Sequence, residues 1–237
     1  MSGKTPLRFA LIVAGGTGTR MGGEVPKQLL PLRGKPILIH TVERFLRLGP
    51  NVLVCLALHP SLLERWPALL AQYLREDAHR ITAIAGGATR TLSVDAGLRA
   101  CTAQAQGQPA LVAIHDAVRP IVSQALLESA YAMALEKGNA VVCVPVKSSM
   151  RRKEGDASVA VDRSLYYHVQ TPQVFRLNEL TTAFQRRPHD EFTDDASLAE
   201  EMGIRIHICE GSYDNLKITT PEDMAVAEQL LSAMSND

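Results

Sequence analysis

Neither sign of charge is in excess: 25 Lys and Arg stand against 25 Asp and Glu over 237 residues. So balanced a chain has no global field to draw it to nucleic acid or an anionic membrane. Any anion site must be local, built from a few placed cations. Long apolar runs are missing as well. No stretch approaches about 18 uninterrupted apolar residues, and the opening MSGKTPLR has no continuous apolar segment before a cleavage site. The expectation is a cytoplasmic protein with no membrane partner. Cysteine is sparse: Cys55, Cys101, Cys143 and Cys209 lie far apart, with no C-x-x-C pair for zinc or redox chemistry. Three of them fall in apolar strand-like runs, which predicts buried reduced thiols acting as small hydrophobes. Two nucleotide motifs are also absent. Gly3-Lys4-Thr5 matches the end of a P-loop, but it lies too near the N-terminus to have the first glycine or a preceding strand. Gly16-Thr17-Gly18-Thr19-Arg20-Met21 ends on methionine, which breaks the G-x-G-x-x-G dinucleotide fingerprint.

What the chain does contain is a globular balance, 46% hydrophobic and 21% charged residues, in a length sufficient for one large α/β domain. Short apolar runs predict strands at 9–13, 52–58, 81–85, 110–114, 140–146 and 204–209. Helical patterns lie between them. Pro36 suits the first position of a helix carrying Ile37, Leu38, Val42, Phe45 and Leu46, and Gly49-Pro50 stops it. Ser61 with Glu64 predicts a capping box for a helix bearing Trp66 and Leu70, with Pro67 kinking it or shifting its start. The run 88–101 reads as a helix, Ser123 caps another that ends near Gly138, and 193–197 opens one ending near Gly203. Pro221 stands at the first position of the last. Strands alternating with helices predict a Rossmann-like α/β fold, a doubly wound and mostly parallel sheet. Ligands bind at the carboxyl ends of such strands. Residues 147–168 break the pattern: MRRK, a turn at Glu154-Gly155-Asp156, then SVAVDR predict a β-arm. A ribbon of this kind is marginal alone, so the arm is expected to help build a homodimer. The stretch 170–175 reads as extended, because Pro172 argues against a helix. With no internal repeat and no linker rich in Gly, Ser or Pro, residues 1–237 make a single domain with that arm.

Polar residues gather where the strands end. Gly15, Gly16, Gly18, Gly22 and Gly23 follow the first strand, with Thr17, Thr19 and Arg20 among them. Bare glycine N–H groups approach a ligand closely, and hydroxyls with one guanidinium add donors, so such a loop can wrap a polyphosphate. A tight strand-to-helix turn is the plain alternative. Arg20 and the Lys27 of Pro26-Lys27-Gln28 add two cations, and Lys217, on a strand-like stretch, adds a third. Nucleotidyl transfer needs such a set. An oxyanion attacks the α-phosphorus while pyrophosphate leaves, and the protein supplies positioning and positive charge, with Mg2+ bridging phosphate oxygens. Asp116, directly after the fourth strand, is placed to accept from ribose or substrate hydroxyls, or to serve as a turn aspartate. Arg119 binds phosphate or pairs with Asp116. A phosphate nucleophile is already ionised near neutrality, so His115 is not needed as a base and is assigned a structural role.

The run A-G-G-x-G-x-R-M…P-K-Q at 14–28 resembles the signature loop of nucleotidyltransferases that activate sugars and polyols. After it come GG…R…SV, HDAVRP, VDR, TPQ, TDDAS and DNLKITTPED, in order. Together these resemble the 2-C-methyl-D-erythritol 4-phosphate cytidylyltransferase family nearly end to end. The resemblance implies transfer of CMP from CTP to that polyol phosphate in isoprenoid precursor biosynthesis, with Mg2+ held mainly by the CTP phosphates and no confidently assigned protein ligand. It implies that Gly16, Thr17, Gly18, Thr19 and Lys27 hold phosphates, and that Arg20 and Lys27 stabilise the transition state. Ala14, Gly15, Gly87 and Ser93 would line the cytosine pocket; Asp116 and Lys217 would meet ribose and phosphate near the reaction centre. Arg119, Ser149, Arg163, Thr171 and Thr193 would bind the polyol phosphate, some of them from a partner's arm. Ala14-Gly15-Gly16, where many members carry Ala-Ala-Gly, and the ITTP run at 218–221 also resemble the sister D-ribitol 5-phosphate cytidylyltransferases. Ser149 stands where many carry threonine. A non-catalytic nucleotide-sensing domain, a reading of another class, predicts loss of Lys27 or Lys217, and both are present.

Overall fold

The computed structural model describes residues 6–15 and 26–234. Gly16, Thr17, Gly18, Thr19 and Arg20 of the expected phosphate loop lie outside the described residues. β1 (Leu7–Ala14) precedes a short 3-10 turn at Lys27–Leu29, a small ribbon pairing Pro31–Leu32 with Lys35–Pro36, and α1 (Ile37–Leu46). β2 (Val52–Leu58), α2 (Pro60–Tyr73), β3 (Ile81–Ala85), α3 (Arg90–Ala105), β4 (Ala110–Asp116), α4 (Gln124–Lys137) and β5 (Asn139–Pro145) continue the alternation. Then come β6 (Met150–Glu154), β7 (Ala157–Val161), β8 (Tyr167–Arg176), α5 (Leu177–Arg186), α6 (Asp195–Glu201), β9 (Ile208–Glu210) and α7 (Pro221–Met234). The main sheet runs β9-β5-β8-β4-β1-β2-β3, parallel throughout except that β8 lies antiparallel between β4 and β5.

β1 is covered on both faces, which is why its sequence is continuously apolar rather than alternating. Ala10, Ile12 and Ala14 enter one core with Phe45, Trp66 and Tyr131 of α1, α2 and α4. Phe9, Leu11 and Val13 enter the other with Val94 and Leu98 of α3 and Phe184 of α5. All four cysteines are free, buried thiols. No helix among the described residues is long and apolar enough to cross a membrane.

Tertiary context alters several expectations. Residues 170–175 belong to a ten-residue strand in the middle of the sheet. Proline cannot donate to a ladder and is normally kept from central strands. Here the β5–β8 register shifts between Val169 and Gln173, and the cis Thr171-Pro172 bond falls inside the shift. α5 has no counterpart in the sequence reading, although Leu177, Leu180, Ala183 and Phe184 form its buried stripe. α2 starts at Pro60 with His59 as its cap, accepting from Ser61 N at 3.3 Å, in place of a Ser61–Glu64 box, and it runs through Pro67. The last strand shrinks to Ile208–Glu210 because the Asn139 side chain replaces the ladder before it. Asn139 Nδ2 donates to Arg205 O at 2.8 Å, and Asn139 Oδ1 accepts from His207 N at 2.8 Å. Lys217 lies in an irregular segment rather than on a strand, held where Ile218 N donates to Val118 O at 2.9 Å. Within 147–168 the chain forms a two-stranded hairpin, β6 pairing with β7 around Gly155 at φ +58°.

Candidate active site

The carboxyl ends of β1 and β4 and the first turn of α3 enclose a cavity of about 330 Å³ whose wall includes Gly15, Lys27, Arg90, Ser93, Asp116 and Lys217. Open α/β sheets place ligands at this end of their strands. One side of the cavity is largely backbone. Thr89 caps α3 by accepting from Leu92 N at 3.1 Å. Ser93 Oγ donates to Thr89 O at 2.8 Å and accepts from Gly87 N at 3.1 Å. The turn is so compact that a Cβ on Gly87 would stand 2.4 Å from Leu92 Cβ, and one on Gly15 would stand 2.9 Å from Ser93 Oγ. Backbone edges with one hydroxyl suit a small planar polar ring and exclude a larger one by shape.

The other side is charged. Lys217 Nζ donates to Asp116 Oδ2 at 2.9 Å and Arg119 Nε donates to the same oxygen at 3.3 Å. Burial alone would raise the Asp116 carboxyl, but Lys217, Arg119 and Arg90 outweigh it and hold the group well below the usual carboxylate range. Behind Asp116 the hydrogen bonds run in one direction. Asp116 N donates to Thr171 Oγ1 at 3.1 Å, Thr171 Oγ1 lies 3.2 Å from His115 Nδ1, and His115 Nε2 lies 3.1 Å from Arg119 O. A carbonyl only accepts, so the proton is on Nε2; Nδ1 then accepts from Thr171, whose oxygen accepts from Asp116 N. His115 therefore fixes the loop that carries Asp116 and Arg119.

Full burial pushes the His115 imidazole down to about 4 from 6.5, so the folded state holds it neutral. The unfolded chain takes up the proton first on acidification. The stability contribution is complete above about pH 6.5 and falls by about 3 kcal/mol as pH drops through that window. Urea unfolding at about pH 7 and about pH 5 is expected to show a larger acid loss in the wild type than in His115→Gln. Equal acid sensitivity of the two proteins would contradict the assignment.

Three residues of this region lie in the quoted motifs without a role having been assigned to them from sequence. Arg90 lines the cavity and forks onto Asp195, Nη1 donating to Oδ1 at 3.0 Å and Nη2 to Oδ2 at 2.6 Å. Asp195 is 1% exposed; burial pushes its carboxyl up, and Arg90 opposes that rise. Gln173 Nε2 donates to Asp194 Oδ2, and Gln173 Oε1 accepts from Ala196 N, both at 2.9 Å, so the first turn of α6 is tied to β8 as well. Asn215 Nδ2 donates to Thr171 O at 2.8 Å, and Asn215 O accepts from Arg119 Nη1 at 2.8 Å. Arg90→Ala strands a buried carboxylate and is expected to cost about 3–5 kcal/mol in urea unfolding, with a smaller loss when Asp195→Ala is added. Purely additive losses would mean that the two side chains are not coupled.

A family model described as 2-C-methyl-D-erythritol 4-phosphate cytidylyltransferase (IspD) matches residues 9–233. The chain belongs to this family. A protein of that name from Porphyromonas gingivalis is 42% identical over 229 residues, which cover 95% of this chain and 98% of that protein. The crystal structure of 2-C-methyl-D-erythritol 4-phosphate cytidylyltransferase from Thermus thermophilus matches with a TM-score of 0.72 at 31% identity, over 94% of this chain and 98% of that one. That of 4-diphosphocytidyl-2C-methyl-D-erythritol synthase from Anaerococcus prevotii gives 0.80 at 25% identity, over 96% and 99%. In this member of the cytidylyltransferase family the residues expected from sequence fall into separate groups. Gly15, Lys27, Ser93, Asp116 and Lys217 share one cavity, Ala14 is buried at the end of β1, and Gly87 sits in the turn under Ser93. Arg119 and Thr171 are buried against Asp116. Ser149 and Arg163 are exposed at the two ends of the arm and do not line the cavity, with Arg163 Nη1 donating to Lys147 O. Thr193 is exposed, its hydroxyl 3.4 Å from Ser197 Oγ.

Proposed function

We propose that this protein transfers the CMP moiety of CTP to 2-C-methyl-D-erythritol 4-phosphate, releasing pyrophosphate and supplying a cytidylylated polyol for isoprenoid precursor biosynthesis. The observation that carries the reading is one cavity with Lys27 and the Asp116-anchored Lys217 on its wall, beside a backbone turn at 86–93. Cytosine would lie on that turn and the triphosphate would reach the lysines. The acceptor's phosphate oxygen attacks the α-phosphorus in line; the new P–O bond forms as the bond to the β-phosphate bridging oxygen breaks, and pyrophosphate leaves with the electron pair. The chain stabilises charge at that point and needs no general base.

Asp116 is the sole carboxylate on the cavity wall among the described residues, and it already holds Lys217. Those residues include no group of three His, Cys, Asp or Glu side chains suited to a metal ion. This donor set fits Mg2+ bound chiefly by CTP phosphates, with Asp116 as the protein oxygen available to it. When bound, the ion supplies Lewis-acid charge to the departing pyrophosphate. Two charged, water-soluble substrates fit a cytoplasmic reaction.

The partner that fits the arm is a second copy of this chain. Leu165, Tyr166, Tyr167 and Val169 at its base are 75%, 42%, 45% and 48% exposed, and apolar surface gathered in one place marks an interface. In such a homodimer Ser149 and Arg163 would serve the neighbouring cavity. Arg163→Ala is expected to raise KM for the polyol phosphate about tenfold or more while leaving that for CTP nearly unchanged. Equal losses for the two substrates would show the arm to be misplaced. Nucleotide choice tests the cavity itself. With the acceptor present, pyrophosphate release from CTP is expected to exceed that from UTP, ATP or GTP by about a hundredfold in kcat/KM. Equal use of UTP would make the protein a broader sugar nucleotidyltransferase.

A further inference from the structure

A second cavity, of about 500 Å³, shares no residue with the first and lies between α1 and α7, where Arg33, Lys35, His40, Glu43, Arg44 and Arg47 line it against Leu231 and Met234. Among the described residues its charges do not balance. Four permanent cations meet one carboxylate, and Glu43 is already taken by Lys35 Nζ at 2.6 Å and Arg47 Nη2 at 3.8 Å. Arg33 and Arg44 have no carboxylate partner among the described residues. Arg33 Nη1 donates to Ser232 Oγ at 2.6 Å, and Arg44 Nε donates to Pro120 O at 3.0 Å with Nη2 3.5 Å from Met234 Sδ. Arg44 is 7% exposed, and its Nη1 has no hydrogen-bond partner among the described residues. Burial, and then Arg47, push its guanidinium below the ordinary value, with Glu43 in opposition.

Solvated cations on an open face need no partner, but Arg44 brings its guanidinium to the wall of a concavity it shares with Arg33 and Arg47, where crowded like charges favour an anion. The C-terminus of α1 does not supply it. Its partial charge is about half a unit, against a net of three positive charges among the described lining side chains, with burial lowering the His40 imidazole from its ordinary value. Arg80 Nη1 already donates to the carbonyls of Leu46 and Gly49 at 3.3 and 2.8 Å. In a chain of zero net charge, this concentration of one sign in a concavity focuses field on a small region.

We propose that the cavity is a binding site for a small phosphorylated metabolite, gripped through its phosphate group by Arg33, Arg44 and Arg47. Guanidinium forks match phosphate oxygens, and the volume is that of a small-ligand pocket. An occupant would also sit next to the catalytic loop. From α1, Arg44 Nε reaches Pro120 O, and Thr41 Oγ1 donates to Ala117 O at 2.9 Å.

The test is 31P NMR titration of the full chain with inorganic phosphate and, separately, glucose 6-phosphate. It compares the wild type, an Arg33→Asn/Arg47→Ser double variant and Lys27→Ala. Asparagine is chosen because Arg33 has φ +48°, which asparagine tolerates. Both arginines are exposed and lie off the catalytic wall, so turnover of the double variant serves as its folding control. Binding is expected to weaken at least about tenfold in the double variant and to persist in Lys27→Ala. Similar affinity for the two probes would assign the grip to the phosphate alone, and tighter binding of the ester would assign it to a phosphorylated metabolite that fills the cavity; both support a site here. Unchanged binding in the double variant, loss of binding in Lys27→Ala, or no binding of either probe by the wild type at about 10 mM would overturn it. None of these results bears on cytidylyl transfer, which is scored separately by pyrophosphate release.

Discussion

Lys217→Ala is expected to lower kcat about a hundredfold or more, and Lys27→Ala to do the same, with cooperative folding retained in both. Lys217 is 43% exposed at its side chain, yet its ammonium is held 2.9 Å from Asp116 Oδ2, so its position is set before substrate arrives. A donor placed in advance costs no reorganisation when charge develops on the phosphates, and removing one such group from an active site costs about 10²–10³ in rate. Both lysines lie on the cavity wall and neither belongs to a hydrophobic core, so their loss should fall on turnover rather than on folding. Steady-state kcat with saturating CTP, together with urea unfolding, separates the two. Near-normal turnover in both variants would remove the cation clamp from the mechanism.

Asp116→Asn is expected to cost about 3 kcal/mol of stability near neutral pH. The carboxylate neutralises two cations that differ in their escape routes. Lys217 can swing into water, whereas Arg119 is 10% exposed at its side chain and is held by Asn215 O as well. Burial pushes the Arg119 guanidinium down and Asp116 only partly restores it, so its charged state leans on that carboxylate. The sign with pH follows from the depressed Asp116 carboxyl. Its contribution is complete above the ordinary carboxylate pKa, about 4, and is lost as pH falls through the lower folded value. The gap between wild type and variant in urea should be widest at about pH 7 and close below about pH 4. A gap that stays constant across that range would show that the ion pairs contribute nothing.

Much of this architecture was legible residue by residue. The β2 and β3 runs, the Thr89 and Ser123 regions of α3 and α4, and the hairpin around Gly155 carry local signals strong enough to place them. β8 does not. Its stretch YHVQTPQVFR holds a proline and two glutamines, and only neighbouring β4 and β5 make it a central strand. The same interruption that admits Pro172 frees Thr171 to meet Asp116, His115 and Asn215. α5 was within reach, since Leu177, Leu180, Ala183 and Phe184 follow the helical period. In the site, the glycines and isolated lysines stand out by type and position. Arg90 and Asn215 do not, because their roles depend on partners 105 and 44 residues away in sequence. A buried fork or an amide bridge has no local period to announce it.

The most direct measurement is pyrophosphate release by the full chain with Mg2+ and CTP, offering 2-C-methyl-D-erythritol 4-phosphate and D-ribitol 5-phosphate in parallel. Release is expected with the methylerythritol phosphate and none above background with the ribitol phosphate. Release with ribitol phosphate alone would keep the fold and the CTP site but contradict the acceptor. Release with neither, in a protein that still binds CTP, would contradict cytidylyl transfer between these substrates.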